Sequence, residues 1–216
     1  AGESDPLGRE FGEALSPTRF SRAELERIKR DVGSLAWTAE YQGVPRSAEG
    51  NRFKRQWFEI VDAVPVDAKR IRYWDKAGTA NADGKGAATA GVLIAMTADG
   101  MIFIEDVVRG WYSALERERV IKQTAELDAQ KYGRGKVRIF IEQEPGSGGK
   151  ESAESTIRNL QGHSIYADRP TGDKDTRLEP FAAQTEAGNV KLLRGAWNHD
   201  YIEEMVAIPN GTYRDQ

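Results

Sequence analysis

The chain has 216 residues, enough for one substantial core with a small appended segment. Its 31 Lys and Arg against 34 Asp and Glu give a formal charge of -3, so no global basic field holds nucleic acid, and such contact needs a local patch or bound metal. The lack of cysteine excludes disulfides, zinc–thiolate sites and cysteine nucleophiles, and His163 and His199 stand in no metal-triad spacing, which leaves oxygen ligands.

The N-terminus is polar and acidic rather than basic then apolar, and no later run approaches a membrane span. The expectation is a soluble, intracellular chain. Ser21 with Glu24 forms a capping box, after which Leu25, Ile28 and Val32 share one helical face until Gly33 ends the run. A short aromatic helix is expected around Trp37 and Tyr41, closed by Gly43-Val44-Pro45. Phe53, Trp57, Phe58 and Ile60 then supply apolar anchors ahead of Pro65. Residues 1–65 read as a helical linker or arm that packs on the main domain, residues 66–216.

From Arg70 the pattern changes to strands alternating with helices. A strand over Arg70–Lys76 and a loop over Gly78–Gly86 lead to a strand over Thr89–Met96, and Asp99-Gly100 turns the chain into a strand over Met101–Val108. Ser113 with Glu116 caps a helix running to about Gln130, and Val137–Glu142 reads as the fourth strand. Helices over Lys150–Leu160, Leu178–Ala187 and Asp200–Ala207 alternate with short strands at Ser164–Ala167 and Val190–Leu193. This order predicts an α/β fold: a mixed β-sheet with helices on both faces, in which the first and fourth strands lie side by side. It resembles the order of the ribonuclease H-like fold.

Asp75, Glu142 and Asp215 sit at or near the ends of apolar runs far apart in the chain. A carboxylate on a strand end is held rigidly and points into the crevice where α/β folds place ligands. Two or three such groups suit a pair of hard cations that hydrolyse a phosphodiester, although acids also end strands simply because strand ends are wet. Alternation puts Tyr73 and Asp75 on one face and Trp74 and Lys76 on the other. Asp106 is ranked as a supporting carboxylate, since its strand is expected next to the first on the side away from the fourth. Asp83 reads as a turn residue, and His199 after Asn198 as part of a helix cap.

Glu142 opens Glu142-Gln143-Glu144-Pro145-Gly146-Ser147-Gly148-Gly149-Lys150, a glycine-rich strand-to-helix turn. It is no phosphate loop: Glu144 stands where a glycine is needed, and Glu151 where a Ser or Thr should follow the lysine. It suits a DNA phosphate approaching Glu142 with Lys150 nearby, or simply a tight turn. Lys174 and Arg177, in a charged segment ahead of a helix, offer further phosphate contacts, with a solvated helix start as the ordinary alternative.

Several segments in order resemble the C-terminal nuclease domain of the tailed-bacteriophage terminase large subunit. They are Tyr41-Gln42-Gly43-Val44-Pro45, Trp74-Asp75-Lys76-Ala77, Thr89-Ala90-Gly91-Val92, Asp106-Val107-Val108-Arg109-Gly110, the turn Glu142 to Ser152, Asp168 to Lys174, Glu186 to Val190, and Asp215-Gln216. The resemblance runs from about Trp37 to the end. It implies a ribonuclease H-like endonuclease that uses two Mg²⁺ or Mn²⁺ ions to cut concatemeric viral duplex DNA during packaging. Asp75 and Glu142 fall on the family's first and second catalytic acids, and Asp215 on the start of its C-terminal acidic motif. Implied partners are the terminase ATPase region, the portal protein and the small terminase subunit, with no membrane. The implied place is the host cytoplasm at the procapsid portal, not the mature virion. No Walker A motif occurs, so the resemblance implies an isolated nuclease domain of a longer protein. The alternatives are another ribonuclease H-like nuclease, such as a junction resolvase or hybrid nuclease, and a non-catalytic portal or motor docking module.

Overall fold

The computed structural model describes residues 14–41, 52–76, 87–172 and 174–208. Helix α1 (Arg22–Ala36) runs into a π-turn (Trp37–Tyr41), and a 3₁₀ turn (Arg55–Trp57) precedes strand β1 (Glu59–Val61). Then come β2 (Lys69–Asp75), β3 (Thr89–Met96), β4 (Ile102–Gly110), α2 (Ala114–Tyr132) and β5 (Val137–Glu142). The chain continues through α3 (Ser147–Asn159), β6 (Ile165–Asp168), α4 (Lys174–Glu186), β7 (Val190–Leu193) and α5 (Asn198–Ala207). Among these residues no helix is long and apolar enough to cross a membrane.

Seven strands form one mixed sheet in the order β1-β7-β4-β3-β2-β5-β6. The expected neighbours are neighbours: β2 pairs with β5 in parallel, from Arg70↔Val137 to Trp74↔Ile141. One expectation is corrected. The strand carrying Asp106 does not lie next to the first, because the two hairpins make β2, β3 and β4 a meander and β3 intervenes.

The sheet buries both faces. On one, Phe53, Phe58, Ile104, Leu192, Tyr201 and Met205 pack together, with Leu178 and Phe181 of α4 against them. On the other, Trp74, Ile139 and Ile141 pack with Ile121 and Ala125 of α2 and with Ala153 of α3. The segment after residue 52 thus contributes to the core, and β1, which no alternation marks in the sequence, adds an edge strand parallel to β7.

Both expected capping boxes form, Ser21 with Glu24 and Ser113 with Glu116. Gly33 kinks α1 at φ +79, and a Cβ there would stand 3.0 Å from that of Ala183, so the glycine also sets how closely α1 approaches α4. Asn198 is not a helix cap. It accepts a hydrogen bond from Gly195 N at 2.7 Å and donates to Leu193 O at 3.0 Å, bracing the turn ahead of α5.

Gly91 lies across from Trp74 on β2, and a Cβ at Gly91 would fall 2.5 Å from the indole. The ring is almost fully buried and has nowhere to retreat. Gly91→Ala is therefore expected to destabilise the fold by about 1–3 kcal/mol, the usual cost of overpacking, measured as the shift in a urea unfolding midpoint.

A register slip between Leu93 and Ile94 leaves Glu105 as an extra residue in β4. Glu105 and Asp106, which strict alternation would send to opposite faces, therefore both reach the α2 side. Glu105 accepts from Arg70 Nε at 2.7 Å, and Asp106 from Arg72 Nη1 at 2.8 Å. Arg72, only 2% exposed, also forks onto Asp128 of α2, through Nε at 2.9 Å and Nη2 at 2.8 Å.

Candidate metal centre

Asp75 is the last residue of β2 and Glu142 the last of β5, and the ladder between those strands ends at Trp74↔Ile141. Both acids therefore stand at the same level, one step beyond the last pair of that ladder. On the outer side of β5, Glu142 is in register with Asp168, the last residue of β6. Three carboxyl-bearing residues thus end three adjacent parallel strands.

Alternation turns Tyr73 and Asp75 toward α4 and α5. With Glu142 and Arg177 they line a cavity of about 250 Å³, whose remaining walls are apolar apart from Tyr201: Val92, Ile104, Phe181 and Met205 among others. Arg177 Nη2 stands 4.0 Å from Glu142 Oε1, and the Glu142 side chain is 16% exposed. The Tyr73 hydroxyl donates to Asp168 Oδ2 at 2.9 Å. Burial, then this bond, then the negative charge of Glu142 push the Tyr73 phenol above its ordinary range, so it acts as a donor.

The structure thus brings Asp75 and Glu142 to one cavity. Asp215 lies outside the described residues. Asp106, expected as a supporting carboxylate, is on the opposite face with Arg72, because the bulge reverses its side of the sheet. Lys150, in the first turns of α3, is 60% exposed and 3.7 Å from Glu154. Lys174 opens α4. Arg177, expected to contact a phosphate, stands within the first turn of α4 and faces Glu142 at the cavity.

The glycine-rich turn after Glu142 forms the start of α3, with Gly146 at φ +93 just before it. A Cβ at Gly149 would fall 2.1 Å from the Glu144 carbonyl oxygen. Only glycine lets the helix fold back so closely behind Glu142.

Asp168 and Tyr73 join the site through the fold, not through the sequence pattern. Asp168 carried the same signal as the other two acids, an acidic residue ending an apolar run, but on a strand of four residues. Among the described residues no three acidic or imidazole groups converge on one point as a finished metal cage. The two carboxylates at the cavity, with neither cysteine nor histidine among the residues that line it, fit a hard, oxygen-seeking divalent ion.

A family model described as the terminase RNaseH-like domain matches residues 72–216. No curated protein matches the chain. Its fold is similar to that of the large terminase from a thermophilic bacteriophage, with a TM-score of 0.61 at 16% identity, covering 88% of this chain and 45% of that one. It is also similar to the large terminase nuclease from a second thermophilic phage, G20c, a structure with bound magnesium, with a TM-score of 0.50 at 11% identity, covering 74% and 81%. At these identities the likeness is one of fold, and the chain spans just under half of the first of these two proteins.

Proposed function

The chain belongs to the terminase RNaseH-like domain family, and on that premise we propose that it is the metal-dependent endonuclease of a terminase large subunit, cutting concatemeric duplex DNA during viral genome packaging. The observation that carries this reading is the placing of Asp75 and Glu142 at matching ends of two adjacent parallel strands, where both line one cavity.

Asp75 and Glu142 would hold Mg²⁺ or Mn²⁺, two ions being completed by Asp215. Bound there, such ions supply Lewis acidity, an activated water and neutralisation of the leaving 3′ oxygen. The chain's own residues prepare that chemistry. The strand ends fix where the carboxylates stand. Arg177 offsets the charge of Glu142 and presents a cation toward an approaching phosphate. Tyr73, by its bond to Asp168, ties β2 to β6 across the strand that bears Glu142. The apolar cavity wall limits water behind the carboxylates. A motor region, portal protein and small subunit would be the partners of the whole protein, acting in the host cytoplasm at the procapsid.

Plasmid nicking by the chain alone should require added Mg²⁺ or Mn²⁺ and stop with chelator. A panel of duplex, hybrid and branched substrates should show preference for duplex; cutting confined to hybrids or junctions would replace the terminase reading with another nuclease of the same fold. No metal-dependent cutting of any substrate would favour a docking module.

DNA affinity should be weak and steeply salt-dependent, given the net charge of -3. Lys174→Ala and Arg177→Ala should each lower the slope of log K against log salt by about one, the value for one phosphate contact. If affinity and slope survive both changes, the DNA path lies elsewhere on the surface.

A further inference from the structure

Lys76 directly follows Asp75, faces the opposite side of the sheet and is 6% exposed. Its Nζ donates to Ser152 O at 2.9 Å, Ser152 Oγ at 2.7 Å and Thr156 Oγ1 at 2.9 Å, so all three ammonium protons go to α3. Thr156 in turn donates to Glu118 of α2 at 2.8 Å, and Glu118 stands 4.0 Å from the ammonium. Burial brings the Lys76 pKa down to about 8, with Glu118 working against that shift. A methionine would fill this space without a charge to desolvate, so packing alone does not account for a lysine here.

The ladders show what the lysine holds. Asp75 is paired on its outer side with Ala90, and Glu142 on its outer side with Asp168, but the ladder they share stops at Trp74↔Ile141. Past that point the two acids are joined through α3. The turn after Glu142 runs into this helix by chain connection, and the residue after Asp75 is fastened to it by the ammonium.

We propose that Lys76 is a positioning residue for the metal centre: by fastening the end of β2 to α3, it sets the spacing of Asp75 and Glu142. The proposal rests on the nuclease reading above. It makes metal affinity, rather than DNA affinity, the property that Lys76 controls.

The test uses the full chain and Mn²⁺ as the probe. Free Mn²⁺ is followed by electron paramagnetic resonance without DNA, and nicking is titrated with Mn²⁺ at fixed DNA. Lys76→Met should raise the half-saturating Mn²⁺ concentration in both assays by about tenfold or more, as loss of groups that orient metal ligands does. KM for DNA at saturating metal should stay within a factor of about two.

Ser152→Ala with Thr156→Val removes two acceptors and disturbs packing less. It should shift the Mn²⁺ titration in the same direction but by less, since the Ser152 carbonyl still accepts from the ammonium. Lys76→Met added to it should shift the titration by less than it does in the unaltered chain, because the changes act on one link. Lys76→Arg, which keeps the donors, should recover part of the affinity. Unchanged Mn²⁺ titrations in the Ser152/Thr156 pair, with circular dichroism showing it folded, would overturn the proposal whether or not Lys76→Met folds. If the unaltered chain neither binds Mn²⁺ nor nicks DNA, the nuclease reading falls and the positioning role falls with it.

Discussion

Asp75→Asn and Glu142→Gln should each abolish metal-dependent nicking while the fold survives. The amides keep the shape of the side chains and remove the charge a divalent ion needs. The loss should exceed the ~10–100-fold that follows removal of a group merely supporting a metal ligand. Neither acid belongs to the clusters of buried apolar side chains, so packing is not at stake. Without metal, Asp75→Asn should leave the melting temperature unchanged or raise it, since one of two carboxylates at a single cavity loses its charge. Glu142→Gln also removes the partner of Arg177 at 4.0 Å, a partly exposed pair whose loss costs less than about 1 kcal/mol. Substantial nicking by either variant would remove that residue from the metal centre.

The largest effect on stability is expected at Arg72. Its guanidinium is 2% exposed and joins Asp128 of α2 to Asp106 of β4. Arg72→Met would leave Asp128, itself buried, without either arm of that fork. Stranding one partner of a buried pair costs about 3–5 kcal/mol. For a chain of this size that is a fall of roughly 10 °C in melting temperature, readable by calorimetry. Replacing both partners, as Arg72→Met with Asp128→Leu, should recover much of the loss, because no lone charge then remains buried. A single variant melting within about 1 °C of the parent would show that the network contributes little.

The elements most legible in the sequence were those whose signal is local. Apolar runs over β2, β3 and β5, the two capping boxes and the Asp99-Gly100 turn all form where the pattern put them. Asp75 and Glu142 came to one cavity because strand ends and parallel pairing follow from element order. The motif resemblance to the terminase nuclease is met by a family model covering the sheet from Arg72 onward.

What stayed hidden depends on distant partners or on register. β1 has three residues and is a strand only because β7 offers it an edge. Asp106 looked available because a bulge leaves no mark in a continuous β-like run, yet that one extra residue decides which face it serves. Helix α3 begins at Ser147, ahead of the expected Lys150, since glycines with poor helix propensity are held helical by the close approach of Gly149 to Glu144. Arg177 was visible as a cation, but its place opposite Glu142 required the docking of α4 on the sheet.

The parallel pairing of β2 with β5 also governs when the site can exist during folding. Between the two strands the chain must first lay down β3 and β4 and then cross back through α2. The loop-closure entropy of that excursion is spent before the pair is formed, and such long-range parallel contacts are slow relative to hairpins and helices. The β2–β3–β4 meander, made of antiparallel neighbours, can form early and already carries Asp75. Glu142 joins it only when β5 docks. A chain emerging during synthesis therefore passes through its half-built forms with the two acids apart, and they meet only with the completed sheet.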